Sequence, residues 1–499
     1  MSPRYIRGAS RAATILLVIS AGAARAAAPS ALFALAQSAG DRVLAGSSAS
    51  ARAHFLRGTR LERERDLSGA EAEYRAAIER DRAMARAYDR LGFVLGLQGR
   101  TADAIASFEQ AVALQPDLAD AQYHLGATLW WTKDIDGARR ALERAVALRP
   151  AHAESRYYLG LARRQQGDLA GAVGDLRAAI KYDPQLAVAH LQLGTALQAA
   201  GDIDAAIGEI ERAVALDPGR ADAANSLGLA LIQKGDASRA VETLRNAVQQ
   251  HPDFGSARLN LGTALLQAGD LDGAVGVYGE LTRREPANAE ASYDLGLALK
   301  QRDEFDAAEA AFRTALRLDP SMPEAPYTLG VVLWQTGRSE EAVALFREAL
   351  GRRPDYADAH YMLGTIFRQQ GETAAALKEL RETIRLNPAS SEAYNSIGQI
   401  LTSAHDAAGA AEAFTEARRL NRIKADSQAA VFAVNAGLER LKRNDIAGAI
   451  AKFREAIRLS PDSAQAHYRL ALGLRRRGAA AEARREYEAA RRLAPYLRW

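Results

Sequence analysis

Apolar positions along this chain recur at spacings of three, four and seven, the mark of helices that bury one face. The whole pattern repeats every 34 residues, with Pro116, Pro150, Pro184, Pro218, Pro252, Pro286, Pro320, Pro354 and Pro388 as its ruler. Pro461 and Pro495 resume the spacing after a slip. A Leu-Gly pair precedes each of the nine prolines, from Leu91-Gly92 to Leu363-Gly364. An alanine lies 12 residues before each proline, from Ala104 to Ala376. Eight before sits a large apolar group such as Phe108, Leu142, Leu176, Ile210, Tyr278, Phe312 or Phe346. Five before is usually a second alanine, as at Ala111, Ala145, Ala179 and Ala213. Small residues permit close helix approach and large ones fill the remaining space. Each period therefore predicts two antiparallel helices. A central Gly-Asp, as in Gly167-Asp168 or Gly269-Asp270, is expected to end the first helix and cap the second. The proline stops the second helix, because it has no N–H to continue it. Where Asp follows, as at Asp117, Asp253 and Asp355, it is expected to cap the next unit.

A strict period of this length describes one supersecondary unit stacked into an array. Leu-Gly on one helix, then Ala, a large apolar residue and Ala on the next, then Pro, resembles the tetratricopeptide repeat. Thirteen units start at residues 51, 85, 119, 153, 187, 221, 255, 289, 323, 357, 391, 430 and 464 and cover almost everything after residue 50. The resemblance implies an all-α α-solenoid, a right-handed superhelix of antiparallel helix hairpins. A pentatricopeptide array, which would imply RNA, has a longer period than this chain keeps.

Three stretches depart from the pattern. The first unit has Arg57 in place of Leu and Arg82 in place of Pro, as suits a polar capping repeat. The unit at 391 has Arg422 where Pro belongs, and about five extra residues separate it from the next unit. This divides an array over 51–424 from two further repeats over 430–499, with an insertion at 425–429 that reads as a longer turn, a fused helix or a kink. The last unit has Ala471 for Gly and only four residues after Pro495, so its second helix faces water or a partner directly.

Residues 1–26 read as a secretory signal peptide: Arg4, Arg7 and Arg11, then the apolar run around Ile15-Leu16-Leu17-Val18-Ile19, then Ala24-Arg25-Ala26. The expected location is the periplasm or outside the cell, with an uncleaved inner-membrane anchor as the alternative. Residues 27–50 are a flexible, Ala- and Ser-rich lead-in, with a short helix possible around Leu32-Phe33-Leu35. There is no Cys, so no disulfide forms. The chain carries a net charge of +4, but the leader holds four Arg and no acid, so the rest is near neutral and the pI argues little for nucleic acid. Residues 464–499 hold nine Arg against Glu482, Glu486 and Glu488. Arg475, Arg476, Arg477, Arg484, Arg485, Arg491 and Arg492 thus form a basic end patch, suited to an anionic surface or simply to solubility.

No catalytic or metal-binding constellation stands out. The eight His show no ligand spacing, and there is neither a phosphate loop nor a nucleophile elbow. No cofactor is implied and no enzyme activity is expected. The resemblance instead implies that the first helix of each unit lines a concave groove, through residues 30, 27, 23, 20 and 19 before each proline. Tyr123, Tyr157, Tyr293, Tyr327 and Tyr361 occupy one column of that stripe. Trp130, Arg164, Lys300, Trp334, Arg368 and Arg475 occupy another. Trp131, Gln165, Gln233, Gln267, Gln301, Gln335 and Gln369 occupy a third. Glutamine offers donor and acceptor together, which suits an extended backbone of any sequence. Trp and Arg are enriched at binding hot spots. The expected function is a non-catalytic scaffold that binds extended peptide or protein segments, in an envelope or secretion assembly. A glycan-binding or enzyme-regulatory protein, and a membrane-tethered adaptor, are the alternatives. Oligomeric state is left open.

Overall fold

The computed structural model describes residues 48–494. The leader, residues 27–47 and the last five residues lie outside the described part, as does the short helix expected near Phe33. Twenty-five helices are present among the described residues. They are α1 (Ala49–Arg63), α2 (Leu67–Arg80), α3 (Ala85–Leu97), α4 (Thr101–Leu114), α5 (Ala119–Trp131), α6 (Ile135–Leu148), α7 (Ala153–Gln165), α8 (Leu169–Tyr182), α9 (Ala187–Ala199), α10 (Ile203–Leu216) and α11 (Ala221–Lys234). There follow α12 (Ala237–Gln250), α13 (Gly255–Ala268), α14 (Leu271–Arg284), α15 (Ala289–Gln301), α16 (Phe305–Leu318), α17 (Glu324–Gln335) and α18 (Ser339–Arg352). The last are α19 (Ala357–Gln369), α20 (Thr373–Leu386), α21 (Ser391–Ser403), α22 (Ala407–Lys442), α23 (Ile446–Leu459), α24 (Ala464–Arg476) and α25 (Ala480–Leu493). The chain is an all-α solenoid of helix hairpins. It divides into two compact units, one ending at Ala223 and one beginning at Ala224, within α11. Among the described residues no helix is long and apolar enough to cross a membrane.

Each hairpin closes on the small-against-large pairing read from the sequence. Gly92 lies against the Phe108 ring so closely that an added Cβ would sit 2.7 Å from it. Phe108, Phe312 and Phe346 are at most 2% exposed, and the alanines flanking them, such as Ala308 and Ala315, are fully buried. Counting each unit from its first residue, the residue at position 15 is left-handed in every unit. Eight of these are glycines, such as Gly167 at φ 83°, and five are not: Arg65, Lys133, Asp303, His405 and Asn444. The next residue starts the second helix. Asp168, for example, accepts a hydrogen bond from the Gly171 N–H at 2.8 Å, as Asp134 does from Gly137 at 2.9 Å.

The cap expected after each proline falls one residue later. Asp117, Asp253 and Asp355 are turn residues, and the N-caps are Leu118, Phe254 and Tyr356, none with a side-chain cap bond. The reason is that Pro and the following Asp together make the two-residue turn. The residue before Pro can brace that turn: Asp183 accepts from the Gln185 N–H at 2.9 Å.

The proline carbonyl, left over by the turn, finds a partner at position 4 of the next unit. Gln122 donates to the Pro116 carbonyl (3.0 Å), Arg156 to Pro150 (2.6 Å) and Arg258 to Pro252 (2.9 Å). His190, His360 and His467 place Nε2 at 3.2, 3.2 and 3.0 Å from the carbonyls of Pro184, Pro354 and Pro461. Their Nδ1 atoms face Glu209, Glu379 and Glu486 at 2.6–2.7 Å. These histidines therefore serve as latches between units.

The slip after residue 420 is neither a turn nor a loop. Residues 407–442 form one helix, α22, of 36 residues and roughly 54 Å. It joins the second helix of the unit at 391 to the first helix of the unit at 430. Residues 421–429 contain neither Gly nor Pro, so nothing in them stops a helix. Ile423, Val431 and Phe432 along it are 49%, 57% and 74% exposed.

Candidate functional site

The three sequence columns fall at positions 5, 12 and 13 of the first helices, and the structure separates them by depth. The tyrosines at position 5 are the deepest. Tyr123 is 7% exposed, which corrects the expectation of a solvent-facing side chain there. It is wedged between His152 (ring centroids 4.8 Å apart), the last residue of its own unit, and Tyr158 (6.1 Å) of the next. Tyr157, Tyr293, Tyr327 and Tyr361 are half-buried. Tyr293 donates to the Thr328 hydroxyl at 3.0 Å, and Tyr327 packs on Tyr356 at 4.8 Å. Burial drives the Tyr157 phenol well above its ordinary range, and the Tyr327 phenol up to about 12. This column works mainly as packing between units.

At position 13, Gln165, Gln233, Gln267, Gln301, Gln335 and Gln369 are all exposed. Trp131 at the same position is half-buried. Position 12 is intermediate: Trp130, Arg164, Lys300, Trp334 and Arg368 are all half-buried.

In the unit ending at Ala223, Trp130 stands edge-on to Trp131 (5.0 Å) and to Tyr158 (5.8 Å). The Lys133 ammonium lies 5.4 Å from its ring centre. The indole nitrogen of Trp130 is buried without a hydrogen-bond partner. Arg164, one unit on, donates to the Thr195 hydroxyl at 2.7 Å. Burial eases the Arg164 guanidinium below its ordinary pKa.

The unit beginning at Ala224 repeats this arrangement in the same register. Trp334 donates its indole N–H to the Gln369 side-chain carbonyl at 3.2 Å. Arg368 donates to the Gln399 side-chain oxygen at 2.9 Å, while its Nε is buried without a partner. Thr195 and Gln399 both stand at position 9. The sequence columns missed them, because most units carry an apolar residue at that position, such as Phe93, Leu161, Leu229 and Leu297. The register alone could have marked them, since position 9 belongs to the predicted stripe.

The basic end meets these columns at Arg475, which stands at position 12 of the last unit. Arg475, Arg476, Arg477, Arg484, Arg485, Arg491 and Arg492 are exposed on α24, α25 and the turn between them. Arg477 approaches Glu482 at 3.8 Å. A shallow depression of about 480 Å³ is lined by residues including Glu109, Gln122, Asp134 and Arg144, and contains none of the stripe residues. Among the described residues no group of His, Asp or Glu is arranged to hold a metal ion.

Comparison with known proteins agrees with the hairpin geometry. A family model described as tetratricopeptide repeat matches residues 191–253, 226–289, 259–323, 293–357, 327–385 and 361–429. A second model of the same description matches 97–163, and a third, described as TPR repeat, matches 160–201 and 437–472. No curated protein matches. Among solved structures, YrrB, described as a TPR protein with an unusual peptide-binding site, is 24% identical, with 37% of this chain and 95% of that chain covered and a TM-score of 0.34. The APC/C hetero-tetramer Cut9-Hcn1 is 14% identical over 86% of this chain and 97% of that one, with a TM-score of 0.36. MamA from Desulfovibrio magneticus RS-1 is 21% identical over 34% of this chain and 96% of that one, with a TM-score of 0.32. The matched segments run through successive hairpins from residue 97 to 429 and resume at 437, in step with one left-handed turn per unit, and on that evidence the chain belongs to the tetratricopeptide repeat family.

Proposed function

We propose that this chain is a non-catalytic scaffold that binds extended peptide or protein segments along positions 9, 12 and 13 of its first helices. Proteins built from this repeat typically bind other proteins or peptides. The observation that carries the reading is the graded face itself. An exposed glutamine recurs at position 13, beside half-buried Trp and Arg at position 12. A repeated amide can meet a peptide backbone without regard to its sequence. Trp and Arg are residue types enriched among the anchors of binding interfaces.

The test is a peptide array probed with the purified chain and with its Trp130→Ala, Trp334→Ala double variant. The variant is expected to keep its helical circular dichroism and to lose most peptide binding. Unchanged binding would move the site elsewhere, and a glycan array that lights up where the peptide array stays dark would replace the ligand class.

The setting we propose is an exported protein of the cell envelope or of a secretion assembly. The support is the leader read in residues 1–26. N-terminal mass spectrometry of the exported protein is expected to begin at Ala27. An intact Met1 in the membrane fraction would favour the anchored adaptor instead.

A further inference from the structure

We propose that the two Trp–Arg stations, Trp130–Arg164–Thr195 and Trp334–Arg368–Gln399, bind the side-chain carboxylates of an acidic, extended peptide. This rests on the groove reading above and names the ligand chemistry within it.

The argument starts from what these two arginines lack. Elsewhere the guanidinium groups of this chain are commonly matched to acids. Arg163, the residue just before Arg164, meets Asp175 at 2.7 Å and Glu143 at 3.3 Å. Arg353 meets Glu324 at 3.2 Å. Arg164 and Arg368 meet no carboxylate among the described residues. Each donates instead to a neutral oxygen in the next unit, at 2.7 and 2.9 Å. A guanidinium carries five N–H donors in a planar fork that fits a carboxylate in two places at once. In Arg368 the Nε donor is buried and unpartnered, so the fork is held in place and incompletely used. A half-buried cation without a counter-charge is costly to keep, and an incoming carboxylate would relieve that cost.

The surroundings extend the same preference. Lys133 lies over Trp130 in the first station, and Lys300 stands at position 12 one unit before Trp334 in the second. The buried, unpartnered indole N–H of Trp130 is a further donor without an acceptor. Acids on the same helices stand at position 2, about 15 Å away along the axis. Two are already engaged: Asp120 with Arg149 at 2.5 Å and Glu324 with Arg353. The Arg368 Nε and the Trp130 indole N–H thus lack acceptors, while Asp120 and Glu324 have their bases. Thr195 and Gln399 set the fork's direction by holding one N–H each. The neighbouring glutamines give the ligand's backbone its hydrogen bonds, which favours a peptide over other polyanions.

The test uses the full chain and three fluorescein-labelled peptides that repeat Leu-Glu-Ser-Ala, Leu-Gln-Ser-Ala or Leu-Lys-Ser-Ala, with binding followed by anisotropy. The Glu peptide is expected to bind roughly tenfold or more tighter than the Gln peptide, as one charge-assisted hydrogen-bonded pair would give. The Arg164→Gln, Arg368→Gln double variant is expected to erase the preference, so that the Glu and Gln peptides bind alike, with the helical circular dichroism unchanged. Equal affinity for the Glu and Gln peptides would overturn this inference and leave the peptide reading standing. Failure of all three peptides would remove both. Displacement of the Glu peptide by an equal charge of oligogalacturonate would overturn the choice of a peptide as occupant.

Discussion

Asp294, on α15, is a partly buried carboxyl with no hydrogen bond or ion pair among the described residues. Burial, and then the charge of Glu290 one turn earlier, push it up to about 7 from an ordinary value of 3.8. The folded chain therefore holds this proton more tightly than the unfolded chain does. Stability from this group is fully present below about pH 4, falls as pH rises from about 4 to 7, and is flat above. Moving the titration from 3.8 to about 7 corresponds to an upper bound of ~4 kcal/mol between the neutral and charged forms. Partial exposure and relaxation should bring the measured effect to roughly 1–3 kcal/mol. Asp294→Asn keeps the shape and removes the charge. It is expected to stabilise the repeats around α15 by that amount at pH 8 and to leave them unchanged at pH 4. Because stacked repeats open locally, the assay is hydrogen exchange over α13–α16, corrected for intrinsic rates, at both pH values. A variant no more protected than the parent at pH 8, or equally more protected at both, would refute the assignment of a buried charge.

Two further outcomes follow from the turns and the long helix. Asp303→Gly and His405→Gly place glycine at left-handed positions now held at φ 60° and 58°, and are each expected to stabilise the local hairpin by up to about 1 kcal/mol, read as slower exchange in α15–α16 and α21–α22. Arg422→Pro would put a proline where the repeat ruler has one. Inside α22 it is expected to cost about 3 kcal/mol or more locally, seen as faster exchange on both sides of residue 422, and unchanged exchange there would show that the helix is already broken in solution.

Features written locally were legible in the sequence. The unit count follows from Gly, Ala and Pro at fixed spacing, because each marks a close approach or a turn that few other residues tolerate. The left-handed turn was legible at Gly167 and Gly269, where glycine announces it. At Lys133 and Asp303 it was legible only by counting. Depth was harder to read. Tyr123 and Tyr157 share a position and a residue type, yet Tyr123 is enclosed by His152 and Tyr158, and that depends on side chains at and beyond the end of its unit. The same limit hid the stations. The sequence placed Trp130 and Arg164 in one column, but the neutral partner of Arg164 comes from Thr195, 31 residues on.

Where stacking stops is written at two positions of the repeat. Position 3 is a small buried residue wherever a unit packs on its predecessor, as in Ala87, Ala121, Ser155, Ala189, Ala257, Ala291, Ala325, Ala359, Ala393 and Ala466. It is exposed in two units only, as Ala53 at the first described repeat and as Phe432, 74% exposed, on α22. Position 28 is half-buried and apolar in Val112, Val146, Ile180, Val248, Leu316, Leu350, Ile384 and Ile457, each of which precedes another stacked hairpin. It is an exposed arginine twice, as Arg418 in α22 and Arg491 in α25. A phenylalanine at position 3 is too large for the close approach that alanine permits, and an arginine at position 28 would lose water if a helix covered it. The fused helix is thus more than a missing proline. Both faces that would meet if residues 430–442 folded back onto 407–420 carry side chains that oppose the contact. The two repeats from 430 onward are thus joined to the preceding hairpin through the continuous helix α22, with Arg418 and Arg491 both exposed at position 28.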